Sequence, residues 1–287
     1  MVTLPAASPE PLPHRHREIA ESFGSDADRY DRARPRYPQA LADAILAGLP
    51  GKRVLDVGIG TGLSALPFRA AGADVLGVDI DARMAELARS RGLETHVARF
   101  EDWDAHGARF DAVVAGQTWH WIDPAAGAIK AAGLLRPGGR IALFWNIGDP
   151  EPQIAAAFGE VYRSVDTGLP FTPWAGGVSA VDGYEQILAR AAAGIRDTGA
   201  FTEPGRLRLD RQATITREAW LDQVPTAGGH NRIPADRLTA LLDGLGNVID
   251  EHGGHFTMNY ATLALTADRL TADHRTADRR TADHRID

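Results

Sequence analysis

The chain has 287 residues, 44% hydrophobic and 24% charged, with a formal net charge of −7. That is the composition of an ordinary soluble globular chain long enough to bury a core, and its acidic balance argues against a surface built to lie on nucleic acid. The absence of cysteine excludes disulfides, thiolate catalysis and cysteine-ligated zinc. No apolar run approaches the ~18 residues of a membrane span, so a cytoplasmic soluble protein is expected.

Residues 1–17, rich in proline and ending in HRHR, read as a flexible leader, and residues 18–268 as a single domain. Its core is expected over 38–146. Pro38 suits the first turn of a helix through LADAILAGL. Apolar runs at 53–57, 74–78, 93–97, 110–115 and 140–145 read as strands. They alternate with helical stretches at 63–71, 81–91 and 124–135, and that alternation implies crossover units and a parallel sheet. LLRPGGR reads as a helix end and a turn into the next strand. From 147 the rhythm changes. Helical segments at about 147–200 and 217–255 read as a cap, with late strands at about 205–216 and 255–267 that run antiparallel. The fold class is therefore α/β: a Rossmann-like, mostly parallel seven-stranded sheet with helices on both faces and a helical cap. The TADxR repeat over 269–287, with period five, fits neither helix nor strand and reads as disordered. No metal site is expected, His274 and His284 in that repeat included.

The stretch VLDVGIGTG, Val54–Gly62, carries the first chemical signal. A dinucleotide fingerprint would need glycine where Leu63 stands, and a phosphate-cradling loop would need Lys-Ser or Lys-Thr after Gly62. A nicotinamide-dependent oxidoreductase therefore fails at Leu63. What remains is an acidic residue, Asp56, ahead of Gly58, Gly60 and Gly62, whose missing Cβ atoms let a ligand touch the backbone. Asp79 ends the second strand, where an acidic side chain is placed to take ribose hydroxyls.

In order, VLDVGIGTG, VLGVDID, ARFEDWD, FDAVVAGQTWHWID and LLRPGGRIALFWN resemble the motifs of class I S-adenosylmethionine-dependent methyltransferases, of a bacterial type-11-like subgroup that acts on small molecules. The resemblance covers roughly residues 20–146, with further similarity in the tail section from Trp220. It implies S-adenosylmethionine as cofactor and S-adenosylhomocysteine as product. Gly58, Gly60, Thr61 and Gly62 would wrap the methionyl part, with Asp56 beside them, and Asp79 would take the ribose. Ile80 and Met84 would lie against adenine, Glu101 and Asp102 at its amino group, and Gln117 at the methionine end. Tyr30, Arg34 and Tyr37 match a helix that closes over the cofactor. Plainer readings stand beside these: Met84 as core, Glu101-Asp102 as a solvated loop, and the N-terminal aromatics as helix packing.

Methyl transfer from a sulfonium needs alignment and exclusion of water, and a base only if the acceptor must lose a proton. His120, at the end of the fourth strand between Trp119 and Trp121, is the candidate base, the tryptophans forming an acceptor wall with Trp145. His230, on the glycine-rich PTAGGHN loop, is a second candidate for the acceptor side, with a surface-loop histidine as the plainer alternative. Phe171 and Trp174 are further wall candidates. The Asn/Asp-Pro-Pro-Tyr run of base-modifying relatives is missing, which favours a small organic acceptor over DNA. The expected protein is a monomer or homodimer with no membrane partner. The alternatives are a cofactor-holding protein without turnover, or an enzyme acting on RNA or protein.

Overall fold

The computed structural model describes residues 23–169, 172–174 and 179–271. The leader up to residue 22, Phe171 and the repeat beyond Thr271, with its two histidines, lie outside the described residues. A seven-stranded sheet forms the centre, in the order β3-β2-β1-β4-β5-β7-β6. The strands are β1 (Arg53–Val57), β2 (Asp74–Asp79), β3 (Glu94–Val97), β4 (Phe110–Gly116), β5 (Leu135–Pro150), β6 (Gly205–Thr216) and β7 (His255–Asp268). The first five are parallel, and β7 runs antiparallel to both β5 and β6.

Period-two alternation sends β-strand side chains to opposite faces, and each face has its own core. Val54, Ala112, Val114, Ala142 and Phe144 meet α2 (Gln39–Leu46), α3 (Ala65–Ala70) and α4 (Ala82–Ser90) through Leu41, Ile45, Phe68 and Ala88. Leu55, Val113, Ile141, Leu143 and Trp145 meet α5 (Pro124–Leu134) and α7 (Ala180–Asp197) on the other face. A third apolar cluster joins α6 (Pro152–Ser164), α8 (Arg217–Gln223) and α9 (Ala235–Glu251) to Phe256, Met258 and Tyr260 of β7. This cluster makes the cap. Ahead of the sheet, a short turn at Phe23–Asp26 leads into α1 (Ala27–Ala33). No helix among the described residues is long and apolar enough to cross a membrane.

Strand β5 departs from the sequence expectation at both ends. Leu135 already pairs with Phe110, and pairing resumes at Arg140↔Ala112, so the Pro-Gly-Gly stretch is an irregularity within the strand. Gly138, at φ +75°, turns the chain there without leaving the sheet. At the far end β5 runs to Pro150, past the expected strand end at 145, because β7 supplies partners as far as Pro150↔Met258.

Candidate functional site

A cavity of about 550 Å³ opens at the C-terminal ends of β1, β2 and β4, where open α/β sheets place their ligands. The three glycines after β1 all have positive φ, of +67°, +57° and +94°, but for different reasons. A Cβ on Gly58 would stand 2.1 Å from Thr118 Cγ2, and one on Gly62 would stand 2.5 Å from Leu93 Cδ1. At Gly60 the nearest atom is Met84 Cε at 3.5 Å. Gly58 and Gly60 line the cavity; Gly62 does not, and its missing side chain makes room for Leu93.

Asp79 holds this turn in shape. Its Oδ2 accepts from the Gly60 N–H at 2.7 Å and its Oδ1 from the Asp81 N–H at 2.8 Å. Burial pushes the Asp79 carboxyl up to about 6, against the pull of those backbone donors. With backbone donors at Gly60, Asp81 and Ile80 set against its four lone pairs, the carboxylate keeps acceptor capacity for a ligand hydroxyl. Ile80, Met84 and Glu101 line the cavity beside it, whereas Asp102 does not and pairs with Arg99 at 3.3 Å. Asp56 is fully buried behind the turn and is also absent from the lining. Its Oδ2 accepts from the Ser64 hydroxyl at 2.6 Å, and Oδ1 has no partner. Burial pushes it up to about 7, with Ser64 pulling the other way.

The N-terminal segment covers this lobe, with Tyr30, Arg34 and Tyr37 facing the cavity. It is tied to the core by Asp31, which pairs with Arg91 and accepts from the Thr61 hydroxyl, and by the Gly24 N–H to Asp81 Oδ2. It is tied to the cap by Arg29 and Arg32, both paired with Asp222. The Arg34 guanidinium lies 4.9 Å over the Tyr30 ring and donates to the Thr226 carbonyl at 2.5 Å, while its Nε is buried without a partner.

Gln117 sits at the end of β4 with φ +55°, a strained value for a non-glycine residue. Its backbone N–H bonds the Phe144 carbonyl at 2.9 Å and its Nε2 the Asn146 carbonyl at 2.9 Å, leaving Oε1 buried and unpaired. Beyond it, Trp119–Trp121 forms a single 3₁₀ turn. At about three residues per turn, neighbouring side chains point ~120° apart, so the two tryptophans cannot share a wall. Trp119 is 1% exposed and packs in the core against Phe100, while His120 and Trp121 face the cavity. Trp145 is likewise a core residue, fully buried on the sheet face of Ile141 and Leu143. Its indole nevertheless reaches the site, since Nε1 donates to His120 Nδ1 at 3.3 Å. Burial holds the His120 imidazole down at about 4.

The opposite wall belongs to the cap. His230 is 3% exposed, which overturns the surface-loop reading. Its Nε2 shares a 2.8 Å hydrogen bond with the Tyr162 hydroxyl, its Nδ1 is buried without a partner, and burial holds it at about 4. Trp174, Trp220, Tyr162 and Tyr184 complete an aromatic lobe. Of these, only Trp174 was a sequence candidate. Tyr162, Tyr184 and Trp220 sit on amphipathic helices where an aromatic residue reads as ordinary core, and no local signal separates the two roles.

A family model described as a methyltransferase domain matches residues 55–143. An uncharacterised methyltransferase of Mycobacterium tuberculosis is 36% identical over 147 residues, which is 50% of this chain and 60% of the relative. A ubiquinone biosynthesis O-methyltransferase of Thiobacillus denitrificans is 30% identical over 181 residues, 60% of this chain and 68% of the relative. The chain thus spans about 60% of the length of the first curated relatives it matches. A solved methyltransferase-fold structure from Anaeromyxobacter dehalogenans superposes with a TM-score of 0.56 at 21% identity, over 83% of this chain and 98% of that one. That likeness concerns the fold.

Proposed function

The chain belongs to the class I S-adenosylmethionine-dependent methyltransferases, and from that premise we propose that it transfers a methyl group from S-adenosylmethionine to a small organic acceptor, releasing S-adenosylhomocysteine. One observation carries the reading. A single cavity joins a polar lobe at Gly60, Asp79 and Gln117 to an aromatic lobe at Trp121, Trp174 and Trp220.

The unpaired atoms in the polar lobe suit a zwitterionic nucleoside ligand. Gln117 Oε1 is an acceptor awaiting a donor such as an ammonium, and Arg34 Nε is a donor awaiting an acceptor such as a carboxylate. Gly60 leaves open space that a side chain would fill. Asp79, with its spare lone pairs, would hold the ribose hydroxyls, and Ile80, Met84 and Glu101 would bound the base. When bound, S-adenosylmethionine supplies a methyl group on a positively charged sulfur, already electrophilic. The residues of this chain therefore have to align and to exclude water, a contribution of about 7–11 kcal/mol when reacting atoms are well oriented. The N-terminal segment over the cofactor and the cap rings around the acceptor do both. The same reading makes the protein a cytoplasmic enzyme, monomer or homodimer, acting on small molecules and not on DNA.

Calorimetric titration tests the proposal. S-adenosylmethionine and S-adenosylhomocysteine are expected to bind at micromolar concentration, and Asp79→Ala to abolish both. Failure of both ligands to bind, or preference for NADH, would overturn the assignment.

A further inference from the structure

Building on that reading, we infer that His120 is a hydrogen-bond donor to the acceptor, locked in that role by Trp145, and that the methylated atom is an oxygen that arrives already ionised: a carboxylate, or a phenol or enol acidified by a neighbouring carbonyl. The argument starts from Trp145. An indole Nε1 can only donate, so the 3.3 Å contact to His120 Nδ1 requires the lone pair to be on Nδ1. A neutral imidazole then carries its hydrogen on Nε2. Among the described residues Nε2 has no protein partner and is not sealed off, and the ring lines the cavity. What His120 shows the acceptor is an N–H.

A base must offer a lone pair to the cavity, and His120 has already given its own to Trp145. Protonating Nδ1 would set two N–H groups against each other and strand the indole of a fully buried tryptophan. Burial acts in the same direction by disfavouring the imidazolium. Among the described residues no other group supplies the missing base. His230 Nδ1 is sealed and its Nε2 is taken by Tyr162. Burial pushes the phenols of Tyr37, Tyr162 and Tyr184 up, so they stay protonated at neutral pH. Arg34 is a cation stacked on Tyr30, and the lining carboxylates Asp79, Asp81 and Glu101 belong to the polar lobe.

With an ionised oxygen the step balances without a base. The oxygen lone pair forms the new O–C bond as the C–S bond breaks, the negative charge on the acceptor and the positive charge on sulfur cancel, and no proton is left to remove. The Nε2–H holds the oxygen in line and keeps its lone pair aimed at the methyl. An ammonium acceptor meets the opposite situation, a donor facing a donor with no group among the described residues to take its proton.

Imidazole ¹H–¹⁵N spectra of histidine-labelled protein test this directly, with the His120 signals assigned by their loss in His120→Gln. The expected result is a neutral ring with hydrogen on Nε2 that does not titrate between about pH 5 and 8; Trp145→Phe frees Nδ1 and brings in the other tautomer. Hydrogen on Nδ1 in the wild type, or titration in that range, overturns the inference whatever the enzyme does. In turnover, His120→Leu loses about tenfold to a hundredfold in kcat/KM, the weight of one hydrogen bond to a charged oxygen, and His120→Gln, which keeps a donor, loses measurably less than His120→Leu. Incorporation of labelled methyl into carboxylates or acidified phenols supports the acceptor class, and incorporation into primary amines alone refutes it. Cofactor titration separates these results from a failure of the methyltransferase reading itself.

Discussion

Gly58→Ala and Gly60→Ala place the same methyl group two residues apart on one turn, and the structure gives them opposite consequences. Both backbones lie in the left-handed region, at φ +67° and +57°, and alanine there costs about 1–2 kcal/mol. At Gly58 the new Cβ also meets Thr118 at Cγ2, Oγ1 and Cβ, at 2.1, 2.5 and 2.8 Å. Thr118 is short and branched, and its hydroxyl lies 3.1 Å from the Gly58 carbonyl and 3.0 Å from the Gly116 carbonyl. It has nowhere to retreat. Overpacking adds about 1–3 kcal/mol and the displaced hydroxyl about 1 kcal/mol. Gly58→Ala should therefore destabilise by about 3–6 kcal/mol, whereas Gly60→Ala should fold with little beyond its backbone cost and fail instead in cofactor binding. Urea denaturation of both variants, with calorimetry on the folded one, measures the split. Thr118→Ala on the Gly58→Ala background should recover part of the loss. Equal destabilisation by the two alanines, or unimpaired cofactor binding by Gly60→Ala, would refute the reasoning.

The Trp119/Trp121 pair makes a similar division. Trp119→Ala should cost about 3–5 kcal/mol as a buried large-to-small change, while Trp121→Ala should spare stability and raise the KM for the acceptor, as denaturation curves and initial rates will show. Asp56 predicts a pH effect. Its carboxyl stands at about 7 in the fold against ~3.9 in an unfolded chain, so the native state holds its proton more tightly. That contribution is complete below the unfolded value and is lost as pH rises through the folded one. Asp56→Asn, which mimics the protonated form, should match the wild type only near pH 3, below the unfolded value, and exceed it in stability by a margin that grows as pH rises to about 8. A difference between the two proteins that does not change with pH would contradict this.

The sheet was legible because its signals are local and repeated. GRLRLDRQATIT alternates except at Arg211, and β6 occupies that stretch from Gly205 to Thr216. VLDVGIGTG could be read because a tight turn lining a cavity tolerates few side chains. The glycine spacing hid the fact that Gly62 answers to Leu93 on the neighbouring chain segment. GQTWHWID pointed to the right place in the fold, but one 3₁₀ turn sent Trp119 inward and Trp121 outward. Trp145 was misplaced for a related reason. Strand alternation put it in the core, and only the approach of β5 to the turn after β4 gave its indole a partner in His120. Pairings such as Tyr162 with His230, 68 positions apart in the chain, leave no trace in either local stretch.

Strand β7 lies between β5 and β6, which both precede it in the chain. Arg140 pairs with Asp268 and Gly205 with Thr266, so neither partner edge can close until the segment through Asp268 exists. A ribosome making roughly 5–20 residues per second therefore exposes β6 for several seconds with no strand to join, while α8, α9 and β7 are still being made. The exposed side chains of β6 are suited to that interval. Arg206, Arg208, Asp210 and Gln212 alternate along it, and charges on an open strand discourage pairing with another chain. Their importance would then be to the nascent chain. Replacing them with apolar residues should fill the insoluble fraction during expression well before it changes the melting point of the protein that does fold.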